Sequence, residues 1–193
     1  MGFRLYPKGR KEWTSAIVRL TVATLVIISI PLIAGFWFAS MPGDSHSGPL
    51  PEASGIEVAV EKAARAHVNR LAGDIGERNV RNPEQLAAAV DYITHHFESL
   101  GFEVNEQPYD IEDVTVKNLE VILTGSELPD EILVVGAHYD TFWGTPGADD
   151  NASGVAGLLE LARLLKERPL KRTVRLVALV NEEPPYFKTK DMG

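Results

Sequence analysis

The chain is 193 residues long, carries 27 acidic against 19 basic side chains, and contains no cysteine. Without cysteine there is neither a disulfide framework nor a thiolate metal site, and a net charge of -8 argues against a nucleic-acid partner. The length is that of about one domain.

The charge is unevenly spread. Residues 1–19 hold Arg4, Lys8, Arg10, Lys11 and Arg19 against Glu12 alone, and residues 20–39 follow as an uncharged, mostly apolar run. Such a run is long enough to span a bilayer. The basic flank predicts a cytoplasmic amino terminus, with the chain after residue 40 exported. A cleavable signal peptide has a shorter apolar core, and Trp37 and Phe38 spoil its small-residue cleavage pattern. The reading is therefore a basic cytoplasmic segment over 1–19 and a single transmembrane signal anchor over 20–39 in contact with the lipid bilayer. Pro31 and the lopsided charge argue against a buried core helix. Residues 40–55, rich in Pro, Gly and Ser, read as a flexible linker, in which His46 is solvated. The exported domain occupies 56–193.

Within it, Val60, Ala64, Val68 and Leu71 mark a helical face that Gly73 ends, with His67 at the edge of the core. A second helix has Asn82 as its cap, Pro83 in its first turn, a stripe of Leu86, Val90, Ile93, Phe97 and Leu100, and Gly101 as its stop. His95 and His96 point about 100° apart on that helix, too far to clamp one metal, and read as surface or interface residues. Residues 102–109 and 114–123 predict two antiparallel strands at a sheet edge.

The next stretch is the richest. Ile132–Ala137 and Val174–Val180 are short apolar runs of the kind that form strands buried on both faces. Between them Val155, Leu158, Leu159, Ala162 and Leu165 recur at helical spacing. A right-handed βαβ unit follows, with both strands ending at one edge of the sheet. That edge receives His138 and Asp140, the loop residues Asp149 and Asp150, and Glu182 and Glu183. Five carboxylates gathered there repel one another unless cations sit among them. Nitrogen and oxygen donors without thiolate suit zinc, with manganese or cobalt as substitutes, and a shared carboxylate is the usual device of a two-metal hydrolytic site. Pro184 and Pro185 keep Glu183 extended. Phe142 and Trp143 either pack the loop or form one wall of a substrate pocket. Asn151 matches a glycosylation pattern, but a place in the metal loop explains it better.

His138-Tyr-Asp140, Thr145-Pro-Gly-Ala-Asp149-Asp150-Asn-Ala-Ser-Gly154 and Asn181-Glu182-Glu183-Pro-Pro resemble, in order and separation, the three motifs of the two-zinc aminopeptidases of metallopeptidase family twenty-eight. The resemblance covers roughly residues 65–193. It implies an α/β three-layer sandwich of the zinc-exopeptidase type with a mixed, centrally parallel sheet. By it His138 ligates one zinc, Asp149 bridges two, Glu183 ligates the partner zinc, Asp140 orients His138 and Glu182 is the general base. Asp150 neighbours the bridge, and the Asp149–Asp150 peptide is a candidate cis bond. Such enzymes take a further aspartate and histidine from chain beyond the Glu-Glu motif. Here no histidine follows His138, so the chain reads as the N-terminal part of one, truncated and inactive alone, with an apolar edge exposed after Val180. The function expected is a membrane-anchored zinc exopeptidase, an aminopeptidase acting on peptides outside the cytoplasm. The alternative is a non-catalytic exported scaffold, and the same architecture also resembles carboxypeptidases and glutaminyl cyclases.

Overall fold

A computed structural model describes residues 9–40, 43, 45–111 and 113–193; Arg4, Lys8 and Asp44 lie outside them. The chain forms two compact units, Met1–Pro51 and Glu52–Gly193. The described part of the first is dominated by one helix, α1 (Arg10–Ala39), 30 residues long, which passes through Pro31 and buries none of its side chains. It is long and apolar enough to cross a membrane.

The second unit begins with a capping box. The Ser54 hydroxyl accepts the Glu57 main-chain N–H at 3.3 Å, and the Glu57 carboxylate accepts that of Ser54 at 2.6 Å. Helix α2 (Gly55–Val68) then runs into a π-helical turn, Asn69–Ile75. The stop is Gly76 rather than Gly73, because the terminating residue takes a left-handed φ of 81° and returns its N–H to Leu71 O. Helix α3 (Pro83–Ser99) buries Leu86, Val90, Ile93 and Phe97 as its stripe predicts. Asn82 stands at its N-cap, yet the side-chain amide donates to Asn79 Oδ1 at 3.1 Å and does not cap the helix.

Strands β1 (Asn105–Ile111), β2 (Val114–Leu123), β3 (Leu128–His138) and β4 (Arg172–Leu179) form one mixed sheet in the order β1-β2-β4-β3. The β1–β2 and β2–β4 pairs are antiparallel and β3–β4 is parallel, so α4 (Ser153–Leu165) is the crossover of a βαβ unit. Helix α4 packs on β3 and β4, α3 on β2, and α2 lies against α4. Val155, Leu158, Leu159 and Ala162 of α4 share the core with Leu119, Val121, Leu176 and Ala178 of the sheet.

Ile132, Leu133 and Val134 are not buried on both faces but are 54%, 56% and 59% exposed, since β3 is an edge strand of the described sheet. The open edge accordingly belongs to β3, while β4 is paired on both sides. The histidines of the helices also differ. His95 is exposed, but the His96 ring packs edge-on against buried His67, centroids 4.6 Å apart.

Candidate active site

The parallel pairing sets His138 opposite Leu179, so the chain leaving β3 and the chain leaving β4 start side by side. After β4 the buried Asn181 adopts a left-handed φ of 58°, a conformation asparagine tolerates better than most residues. The bend aims the N–H groups of Glu182 and Glu183 at Asp140, whose two carboxylate oxygens accept them at 3.2 Å each. Asp140 is itself buried, so one carboxylate joins both strand ends away from water. Its Oδ1 also lies 3.5 Å from His138 Nδ1, a charge contact at the outer limit of a hydrogen bond. That nitrogen is buried without a well-formed partner.

The other ring nitrogen faces the carboxylates. His138 Nε2 is 3.0 Å from Asp150 Oδ1 and 3.7 Å from Glu182 Oε2. One ligand atom each from His138, Glu182 and Glu183 lies within 4.8 Å of the others. Asp150 arrives there through a local break. Gly147, at a φ of 56°, opens the π-helical turn Ala148–Ala152, inside which Asp150 (φ -117°, ψ 93°) and Asn151 (φ -134°, ψ 41°) leave the helical region. A Cβ on Gly147 would strike the Thr141 methyl group and the Asp150 carbonyl, so only glycine fits. Asn151 Oδ1 then accepts the Gly154 N–H at 2.9 Å, and a Cβ on Gly154 would meet that same amide. Asn151 thus caps the start of α4.

The carboxylate placed against His138 is therefore that of Asp150. Asp149, read from the motif as the bridging ligand, precedes the break; among the described residues its carboxylate joins no hydrogen bond or ion pair, and its main-chain oxygen accepts from Ser153 Oγ at 2.7 Å. The cis peptide falls at Asp150–Asn151, one residue beyond the expected position. His138, Asp140, Glu182 and Glu183 come together as the sequence reading places them.

The electrostatics of the cluster fit a cation. Burial opposes the charge on His138, but the Asp140 carboxylate, then Glu182 and Asp150, outweigh it and push its pKa up to about 9. Burial, then the charge of Asp150, raises the pKa of Glu183. Three carboxylates around one imidazole leave negative charge at the site that a bound cation would offset.

Some site residues gave no sequence signal. Arg78 lies in a loop without periodicity, yet its main-chain N–H donates to Thr141 Oγ1 at 3.1 Å and its carbonyl accepts from Thr141 N at 3.0 Å. Phe142 and Trp143 differ in their surroundings. Trp143 packs under Arg81, whose guanidinium carbon is 3.3 Å from the ring centroid. Phe142, 43% exposed, lines a groove with Thr145, Asp149, Asp150 and Glu183.

A mixed α/β sheet gathers an imidazole and carboxylates beyond the ends of its parallel strands, at the edge where ligands bind in open α/β sheets. Residues 118–187 match the model of Peptidase family M28. Over 180 residues the chain is 35% identical to YfbL, an uncharacterized protein of Escherichia coli (strain K12), covering 88% of this chain and 51% of that protein. Among solved structures, BSAP, a zinc aminopeptidase from Bacillus subtilis, superposes with a TM-score of 0.57 at 15% identity, covering 63% of this chain and 61% of that one. A glutaminyl cyclase of Fimbriiglobus ruber gives a TM-score of 0.55 at 25% identity, covering 79% and 55%. The matched stretch, residues 118–187, belongs to peptidase family M28. The chain spans about half the length, or less, of the curated relatives it matches.

Proposed function

We propose that the protein is a membrane-anchored, zinc-dependent exopeptidase that removes amino-terminal residues from peptides outside the cytoplasm. The observation that carries this reading is the meeting of His138, Asp150, Glu182 and Glu183 at the joined ends of β3 and β4. One imidazole and several carboxylates, with no thiolate, are a donor set that suits zinc. His138, Asp150 and Glu183 would hold the metal. Bound there, zinc would polarise the scissile carbonyl and acidify a water. Asp140 keeps His138 oriented and locks the main chain of Glu182 and Glu183 in place. Glu182, with 38% of its side chain exposed, takes the proton from the attacking water and returns it to the leaving amine. Phe142 offers an apolar wall to the substrate side chain.

The helix α1 supports the anchor, with residues 1–19 cytoplasmic, 20–39 in the bilayer and 40–55 as tether. Trp13 and Trp37 stand near its two ends, about 36 Å apart at ~1.5 Å per residue, which matches the aromatic belts of a membrane-spanning helix. A second reading, glutaminyl cyclase, is favoured by the likeness to the Fimbriiglobus ruber enzyme, which extends over 79% of this chain.

The test is Glu182→Gln in the full-length protein, supplied with an aminoacyl anilide and with an N-terminal glutaminyl peptide. The variant is expected to keep its zinc and lose cleavage of the anilide. Retained cleavage would overturn the role of Glu182, and wild-type turnover of the glutaminyl peptide alone would favour the cyclase.

A further inference from the structure

Arg78 is wholly buried although its side chain is a cation. Among the described residues its guanidinium forms no carboxylate ion pair, and it donates to five main-chain carbonyls. Nε reaches Tyr139 O at 2.6 Å; Nη1 reaches Leu71 O at 3.2 Å, Gly76 O at 3.0 Å and Pro146 O at 2.7 Å; Nη2 reaches Gly147 O at 3.2 Å. Burial lowers its pKa to about 10, partly offset by the Asp140 charge, so it stays protonated at neutral pH. An enclosed charge is costly unless its surroundings are polar and fixed, and here five carbonyl dipoles supply that.

The identity of those carbonyls is what matters. Tyr139 lies between His138 and Asp140, while Pro146 and Gly147 open the turn that delivers Asp150. A planar fork with five N–H donors can span both loops at once; a lysine ammonium, a single point with three donors, cannot. We propose that Arg78 is a positioning residue that sets the spacing between His138 and Asp150 by clamping the carbonyls of Tyr139 and of Pro146–Gly147, and thereby sets the affinity of the site for a divalent cation. The inference rests on the zinc reading of that site.

The experiment compares the full-length wild-type protein, Arg78→Lys and a control, Phe97→Leu, in a core position of α3 away from the site. Zinc affinity is measured by competition with a chromophoric chelator, below the unfolding temperature of each metal-free protein. Arg78→Lys is expected to fold and to bind zinc about 10- to 100-fold more weakly, the usual cost of losing an outer partner of metal ligands. Its kcat should recover at saturating zinc, and Phe97→Leu should keep the wild-type affinity. An unchanged affinity in Arg78→Lys, a loss no larger than that of Phe97→Leu, or failure of Arg78→Lys to fold would each overturn the proposal. Wild-type protein that binds no zinc would overturn the zinc reading and this inference with it, whereas tight wild-type binding matched by Arg78→Lys would overturn this inference alone.

Discussion

Asp149 and Asp150 are chemically identical neighbours, and only backbone torsion decides which one meets His138. Asp150 leaves the helical region and brings its carboxylate 3.0 Å from Nε2, while the Asp149 side chain lines the groove with no partner among the described residues. Asp150→Asn should therefore weaken zinc binding by about 10-fold or more, as loss of a donor does, whereas Asp149→Asn should leave it close to wild type. Isothermal titration of the two variants checks this, and the reverse ranking would return the bridging role to Asp149. The contrast also marks how far single residues can be read from sequence. His138, Asp140, Glu182 and Glu183 sit at the ends of two strands whose apolar runs announce them, so their meeting was legible. The break at Asp150 and Asn151 is imposed by the contacts of Gly147 with Thr141 and of Asn151 with Gly154, which lie across loops and carry no periodic signal. Arg78 was invisible for the same reason, because a buried arginine in a loop looks like any solvated one.

Elements with a strong period were legible in type and approximate extent. Helix α3, the β1–β2 hairpin and the βαβ unit all stand where their patterns put them. What the patterns could not supply was neighbour order: β3 has an apolar run suited to an interior strand but lies at the edge of the described sheet. Polar residues buried between helices were equally hidden. Glu160 of α4 is 3% exposed, bound by Arg163 at 2.7–3.1 Å, and its Oε1 lies 3.7 Å from His67 Nε2. His67 Nδ1 shares a 2.6 Å hydrogen bond with the Tyr92 hydroxyl, and His96 Nε2 is buried without one. Burial lowers the pKa of both imidazoles, against the charge of Glu160. In the folded state both favour the neutral form, so at acid pH the unfolded chain binds more protons. Their contribution to stability is present above the ordinary histidine pKa of about 6.5 and is lost as pH falls through it toward the lowered values. Melting of the metal-free protein from pH 8 to 5, roughly the histidine window, should show this decline, and His96→Met should make it shallower. An identical slope in the variant would remove His96 from the explanation.

At the scale of the whole molecule, an apolar helix and an acidic α/β unit share one chain. Helix α1 has Arg10, Lys11 and Arg19 near its start and an uncharged stretch after them, so the basic end should stay in the cytoplasm and the α/β unit should be exported. A protease added to intact cells should reach the Glu52–Gly193 unit, and protection of that unit until the cells are opened would reverse the topology.

The acidic cluster beyond β3 and β4 is proposed to hold zinc and to hydrolyse peptides with it. The most direct measurement is the turnover of an aminoacyl anilide by the full-length protein before chelation, after it, and after zinc is returned. Activity should be lost with the metal and regained with it, in proportion to the zinc bound. Hydrolysis that survives complete removal of zinc, or zinc bound stoichiometrically with no turnover of any aminoacyl substrate, would contradict the proposal.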